Sequence, residues 1–211
     1  MNEANRQLFW ENAGIHIPTE YEEIGGVKNT STSNGAYINT HLRLIDKSCK
    51  IEGYALLKYA SGDWNVVCGG ETADNSDDSI KIRRRANLES MTCSIGDDIT
   101  SIAVSYDKWF YFCIDHGTFT IDDQSLQYVP HEQLSPYIYI GNQNLNGKPY
   151  GGRFWSGAIG ALKFWNESKL VGHFIPTKRR SDNVCGFYDG VTRQFMSSLT
   201  TTNFTEWTDN L

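Results

Sequence analysis

Hydrophobic and polar positions alternate with a period of two over much of this chain. Ile38, Thr40, Leu42 and Leu44 share one side of an extended segment, with Asn39, His41 and Arg43 on the other. Ile80 and Ile82 alternate with Lys81 and Arg83, which predicts a half-buried strand with a wet face. Ile102, Val104 and Tyr106 alternate with Ser101, Ala103 and Ser105. In Tyr137-Ile138-Tyr139-Ile140 the isoleucines fall on one side and the tyrosines on the other, and Leu162 and Phe164 likewise oppose Lys163 and Trp165. Trp109-Phe110-Tyr111-Phe112 is apolar on both sides, so that strand is either covered twice or lines a groove. No window carries a sustained helical stripe, and nothing repeats at a fixed period. Gly62-Asp63, Asn146-Gly147 and Asp189-Gly190 are turn signals, because such pairs tolerate the positive φ of tight hairpins. Short alternating strands between Gly, Asn and Pro breakers predict an all-β, antiparallel two-sheet β-sandwich.

Particular segments add to this pattern. Ile17-Pro18-Thr19-Glu20-Tyr21-Glu22-Glu23-Ile24 leads into Gly35-Ala36-Tyr37-Ile38-Asn39-Thr40. After a weaker middle come Tyr137 to Gly141, Ala158 to Trp165, Phe174-Ile175-Pro176 and Gly186-Phe187-Tyr188-Asp189. The succession resembles the laminin-G-like branch of the concanavalin A-like lectin/glucanase superfamily, a jelly roll common in phage virion proteins and in surface proteins of gut bacteria. The resemblance implies a jelly-roll domain over residues 17–211, with residues 1–16 as an N-terminal arm or tether. Lys178-Arg179-Arg180-Ser181-Asp182 matches a basic turn of that family, expected to position the return into Gly186-Phe187-Tyr188-Asp189. These are packing motifs, so they specify fold far better than activity.

Composition narrows the function. A chain of 211 residues suits one large sandwich, and a globule of that size buries about 70% of its extended-chain surface. Aromatic residues make up 13% of it, with 6 Trp and 11 Tyr, which argues against disorder. A formal net charge of -6 argues against nucleic-acid binding driven by phosphate attraction. No stretch approaches the roughly 18 apolar residues that cross a bilayer, so no membrane insertion is expected. The first residues lack a basic stretch followed by an apolar run, so no signal peptide is expected. The 5 cysteines are odd in number and widely spaced, which indicates neither a disulfide framework nor a zinc site. Free thiols fit folding in a reducing cytoplasm before display on a virion or cell surface.

Catalytic templates fail. Glycosidases of this architecture resemble one another in placing carboxylates on one strand as Glu-x-Asp-x-Glu, and this chain contains no Glu-x-Asp. Glu20-Tyr21-Glu22-Glu23 reads as a solvated acidic loop. The run from Gly141 to Pro149 departs from a phosphate-binding loop in spacing and in having Pro149 at the magnesium position. The loop from Glu71 to Asp78, with Asp74 and Asp77, offers oxygens that suit calcium but matches no calcium motif, and solvation is the plainer reading. No cofactor or metal is expected.

The best lead is a set of rings and amides: Trp64, Tyr137, Tyr139, Asn142, Asn144, Tyr150, Trp155 and Trp165. Rings stack on the apolar faces of sugars while amides satisfy their hydroxyls. Core packing and protein interfaces use the same residues. The expected function is a non-enzymatic recognition or display module that binds a glycan or cell-surface receptor. The alternatives are a virion structural or decoration protein that contacts other virion proteins through its N-terminal arm, and a divergent glycan hydrolase. Homo-oligomeric display would raise a weak sugar affinity.

Overall fold

The computed structural model describes residues 14–29, 35–58, 65–73, 78–84, 89–95 and 98–208. The first strands are β1 (Tyr21–Glu23), β2 (Val27–Asn29), β3 (Ile38–Asn39), β4 (Cys49–Leu57), β5 (Asn65–Glu71), β6 (Ile80–Arg84), β7 (Ser90–Ile95) and β8 (Asp98–Ala103). Then come β9 (Trp109–Asp115), β10 (Thr118–Ile121), β11 (Gln124–Gln127), β12 (Tyr139–Ile140), β13 (Asn144–Leu145) and β14 (Lys148–Pro149). The chain closes with β15 (Gly157–Asn166), β16 (Lys169–Arg179), β17 (Cys185–Asp189), β18 (Gln194–Ser197) and β19 (Thr205–Glu206). Among the described residues the helical content is a single 3-10 turn, Asp46–Ser48.

These strands form two sheets. The larger runs β11-β10-β9-β4-β15-β16-β17-β18, with β1 on β16, β2 on β15 and β19 on β2. The smaller runs β14-β13-β5-β6-β7-β8, with β12 on β5 and β3 on β12. Strand pairings are antiparallel except β13 with β5. Alternation sends every second side chain into the space between the sheets. There Cys49, Ile51, Ala55 and Leu57 of β4 join Phe110, Phe112 and Ile114 of β9, and Ile80, Ile82, Met91 and Cys93 of the smaller sheet, in one cluster. Full burial of an Ile, Leu, Met or Phe side chain there stabilises the fold by about 1.5–3 kcal/mol.

Turn chemistry sets the registers. Asn146 (φ 49°) and Gly147 (φ 84°) link β13 to β14 with Leu145 opposite Lys148, as a two-residue turn with both φ positive requires. Arg179 clasps Asp182, with Nη2 donating to Oδ2 at 2.7 Å, and the turn hands β16 on to β17 as the sequence suggests. Gly157 (φ 139°) lets β15 approach β4 so closely that a Cβ there would lie 1.9 Å from the Leu56 carbonyl oxygen.

Several expectations need correction. Only Ile38–Asn39 of the segment 38–44 is strand; Thr40 turns its hydroxyl to the Ile138 carbonyl at 2.7 Å, and His41 takes a φ of 57°. The second face of β6 is not wet: Lys81 and Arg83 are buried, as is Arg84 on the side of Ile80 and Ile82. Asp189 and Gly190 do not form a two-residue turn. The buried Asp189 carboxylate instead accepts from the backbone N–H of His173 (2.9 Å), Val191 (3.1 Å) and Thr192 (3.3 Å), and shapes a longer loop before β18. Glu20-Tyr21-Glu22-Glu23 is mostly strand β1, with Glu22 facing Lys178 at 3.6 Å and Arg180 at 3.5 Å. All five cysteines are buried thiols. Ile15, within the stretch assigned to the arm, lies against Gly190; residues 1–13 lie outside the described residues, as do Gly62, Asp63 and Asp74–Asp77.

Candidate ligand-binding face

Because the odd-numbered positions of β4 take the core, Lys50, Glu52 and Tyr54 point to the outer face of the larger sheet. By the same rule β9 sends Trp109, Tyr111, Cys113 and Asp115 outward, and β15 sends Lys163 and Trp165. Register brings these together. Lys50 lies opposite Asp115 and Trp165, Glu52 opposite Cys113 and Lys163, and Tyr54 opposite Tyr111. Lys50 Nζ is 2.9 Å from Glu52 Oε2, and the Tyr111 hydroxyl donates to the same oxygen at 2.9 Å. The Lys50 ammonium also stands 5.1 Å from the centre of the Trp165 indole, within cation–π range.

At the end of this face an open groove of about 600 Å³ is lined by Lys50, Asp115, His116, Trp165, Glu167 and Ser168. Two tight turns build its walls. His116 (φ 46°) and Gly117 (φ 91°) join β9 to β10, and the His116 ring contacts the Asp115 carboxylate. Glu167 (φ 54°) and Ser168 join β15 to β16, where the Glu167 N–H donates to the Ser48 carbonyl at 2.6 Å. Trp165 itself is half-buried, with part of its ring open to the groove.

Burial sets the protonation states of this face. It pushes the Tyr111 and Tyr54 phenols up, and the Cys113 thiol to about 11. It pulls Lys163 down. His173, opposite Lys163 on β16 and fully buried, is pushed to about 3 by burial and then by the Lys163 charge, so it is neutral near pH 7. For Lys50 burial acts downward, but the hydrogen bond and charge of Glu52 outweigh it and the net shift is up. Phenol and thiol are thus held in their neutral, unreactive forms. What the face offers a ligand is rings, hydroxyls and paired charges.

The sequence-derived set does not converge on one site. Trp165 lines the groove. Tyr137 is 47% exposed on another part of the surface, 6.0 Å below the Arg43 guanidinium. Tyr150 is half-buried under Arg153, whose Cζ is 3.7 Å from the ring centre. Four of the residues need correction, because they are buried and serve the fold. Tyr139 does point away from the isoleucines, but Tyr37 stacks on it at 5.0 Å and Phe154 joins them. Trp155 belongs to the main core, its Nε1 donating to the Ala158 carbonyl at 3.1 Å. Asn142 donates to the Tyr150 carbonyl (3.3 Å) and accepts from its N–H (3.2 Å). Asn144 donates to the Tyr137 carbonyl (2.7 Å) and accepts from the Gly147 N–H (2.7 Å). A buried, irregular loop must satisfy its backbone groups somehow, and these amides do it. Trp64 lies outside the described residues. Among the described residues no cluster of His, Cys, Asp and Glu is arranged to hold a metal ion.

Sequence reasoning missed Lys50, Glu52, Tyr54 and Lys163. The alternation Lys50-Ile51-Glu52-Gly53-Tyr54 carried the signal, and the groove-lining option raised for Trp109 to Phe112 pointed to the right sheet.

A proposed carbohydrate-binding protein from Bacteroides ovatus superposes with a TM-score of 0.53 at 14% identity, covering 87% of this chain and 58% of that one. The extracellular region of zebrafish Gpr126/Adgrg6 gives 0.52 at 11% identity, over 87% of this chain and 26% of that one. The fold is an antiparallel two-sheet β-sandwich of the jelly-roll type. Domains LG4-5 of the mouse laminin α1 chain overlay less closely, at a TM-score of 0.44 and 12% identity, over 74% of this chain and 45% of that one. The jelly roll therefore spans 58% of the Bacteroides protein's length. No protein-family model matches the sequence, and no curated protein does.

Proposed function

We propose that this jelly roll is a non-enzymatic carbohydrate-recognition module, displayed on a bacterial surface or a phage particle, that holds its glycan against Trp165. The observation that carries the reading is the open groove in which an indole sits among Lys50, Asp115, His116, Glu167 and Ser168. A sugar ring has an apolar C–H face for the indole and hydroxyls for the surrounding polar groups. The superposition on a proposed carbohydrate-binding protein supports this through the fold alone. Binding is favoured over hydrolysis because the Glu52 carboxylate on this face is already held by Lys50 at 2.9 Å and by the Tyr111 hydroxyl at 2.9 Å.

Tryptophan fluorescence titrated with a broad panel of polysaccharides tests the proposal. A cognate glycan should shift the emission of the native protein and leave a Trp165→Ala variant unresponsive. Equal binding by that variant would end it.

A second reading, contact with other proteins of a particle, is favoured by exposed apolar side chains. Val129 is 67% exposed, and Leu126, Leu134 and Ile45 are also open. Ile45 and Leu134 are joined by a β-bridge. Under that reading Val129→Asp and Leu126→Asp would block assembly and leave glycan titrations unchanged.

A further inference from the structure

The groove at Trp165 continues along the sheet. Running up β4, β9 and β15, successive cross-strand rows carry Asp115, Lys50 and Trp165, then Cys113, Glu52 and Lys163, then Tyr111 with Tyr54, then Trp109 with Leu56. Trp207, just past β19, extends the last row, edge-on to Trp109 at 6.3 Å. Trp165, Tyr54, Tyr111, Trp109 and Trp207 are all partly exposed, so the strip presents aromatic surface at both ends and in the middle. Glycines let these rings lie low. A Cβ on Gly26 would stand 2.8 Å from Trp109 Cη2, and one on Gly160 would stand 3.1 Å from Tyr54 Cβ and 3.4 Å from Trp109 Cζ3.

Length and charge narrow the ligand. From Trp109 to Asp115 the strand climbs about 20 Å, at roughly 3.3 Å per residue. A single sugar ring does not span that distance, and a short chain of them does. Cations along the strip face carboxylates: Lys50 binds Glu52 at 2.9 Å, Lys163 lies opposite Glu52, and Lys58 meets Asp107 at 2.6 Å. A fixed anionic group on the ligand would have to compete with Glu52 for Lys50 and with Asp107 for Lys58, in a protein of net charge -6.

We propose that the strip binds an extended, neutral oligosaccharide lying along β4, β9 and β15, with Trp165 and Trp109 as separate stacking platforms. This rests on the carbohydrate reading above and deepens it. Calorimetric titration with neutral gluco-, manno-, xylo- and galacto-oligosaccharide ladders, each from the single sugar to the hexamer, tests it. In the ladder that binds, affinity should climb with chain length. Trp109→Leu, which keeps apolar bulk and removes the ring, should weaken the hexamer about tenfold, or about 1.4 kcal/mol, and leave the single sugar unaffected. Tyr54→Leu should behave in the same way, and serves if Trp109→Leu melts early. A single sugar that binds as tightly as the hexamer, with Trp109→Leu and Tyr54→Leu silent, overturns the extended strip and leaves the Trp165 groove standing. Binding confined to uronic-acid or sulfated chains overturns the neutral class. Failure of every ladder and every charged glycan overturns the carbohydrate reading itself.

Discussion

The Lys50 ammonium stands 5.1 Å from the centre of the Trp165 indole while bonding Glu52 Oε2 at 2.9 Å. One cation thereby ties the ring of the groove to the polar row beneath it. Lys50→Met keeps the aliphatic stem and removes that tie. The Lys50 side chain is 31% exposed, so thermal denaturation should show a loss below about 1 kcal/mol. Glycan affinity should fall severalfold in calorimetry as the indole loses its fixed orientation. Unchanged affinity would mean that Trp165 is oriented by packing alone.

The fully buried Glu71 carboxylate contacts the Lys81 ammonium and the Gln143 side-chain amide, with Arg153 Nη1 3.8 Å away. Burial pulls the Lys81 pKa down even though Glu71 opposes it. Lys81→Met strips Glu71 of its main counter-charge and should cost about 3–5 kcal/mol in urea denaturation. The double change Glu71→Leu with Lys81→Met should cost less than Lys81→Met alone, because no charge is left stranded. If the double variant is the weaker protein, the pair contributes more than it costs to desolvate.

His173 supplies a pH dependence. Its pKa falls from 6.5 to about 3 on folding, so the unfolded chain binds the extra proton between those values. Its stabilising contribution is therefore complete above pH 6.5 and is lost as pH falls toward 3, at up to about 1.4 kcal/mol per pH unit. His173→Leu should flatten the stability curve over that window relative to the native protein. Two parallel curves would show that His173 is protonated equally in both states.

Two glycines with positive φ should respond differently to alanine. At Gly147 (φ 84°) nothing lies within 4 Å of the added methyl, so Gly147→Ala should cost only about 1–2 kcal/mol of backbone strain. At Gly157 the methyl would collide with the Leu56 carbonyl oxygen at 1.9 Å. Gly157→Ala should cost more than about 3 kcal/mol or block folding, since neither strand of the β4–β15 pair can withdraw. Equal melting temperatures for the two variants would contradict this close approach.

Much of the architecture was legible before any coordinates. Alternation at Ile80 and Ile82, at Ile138 and Ile140, and at Leu162 and Phe164 placed those side chains in the core, where they are. The turn at Asn146-Gly147 was readable because positive φ has few residue solutions. The site was less legible. Lys81 and Arg83 look solvated by pattern, and Tyr139 looks available, yet all are buried, Tyr139 beneath Tyr37 from a distant part of the chain. Asn142 and Asn144 resemble ligand-binding amides, but the backbone of their own loop occupies them.

By itself, then, the sequence determined which side of the alternating strands β6, β12 and β15 is apolar, because that follows from a period of two and needs no neighbour. Which of the opposite sides meets water was decided only by tertiary structure. Trp155 and Trp165 make the point. Both are aromatic residues near β15, but Trp155 turns into the core while Trp165 faces the groove beside Lys50. Register between β4, β9 and β15 aligns Glu52 with Lys163 and Tyr54 with Tyr111 over long separations in the chain, and local pattern carries no information about that alignment.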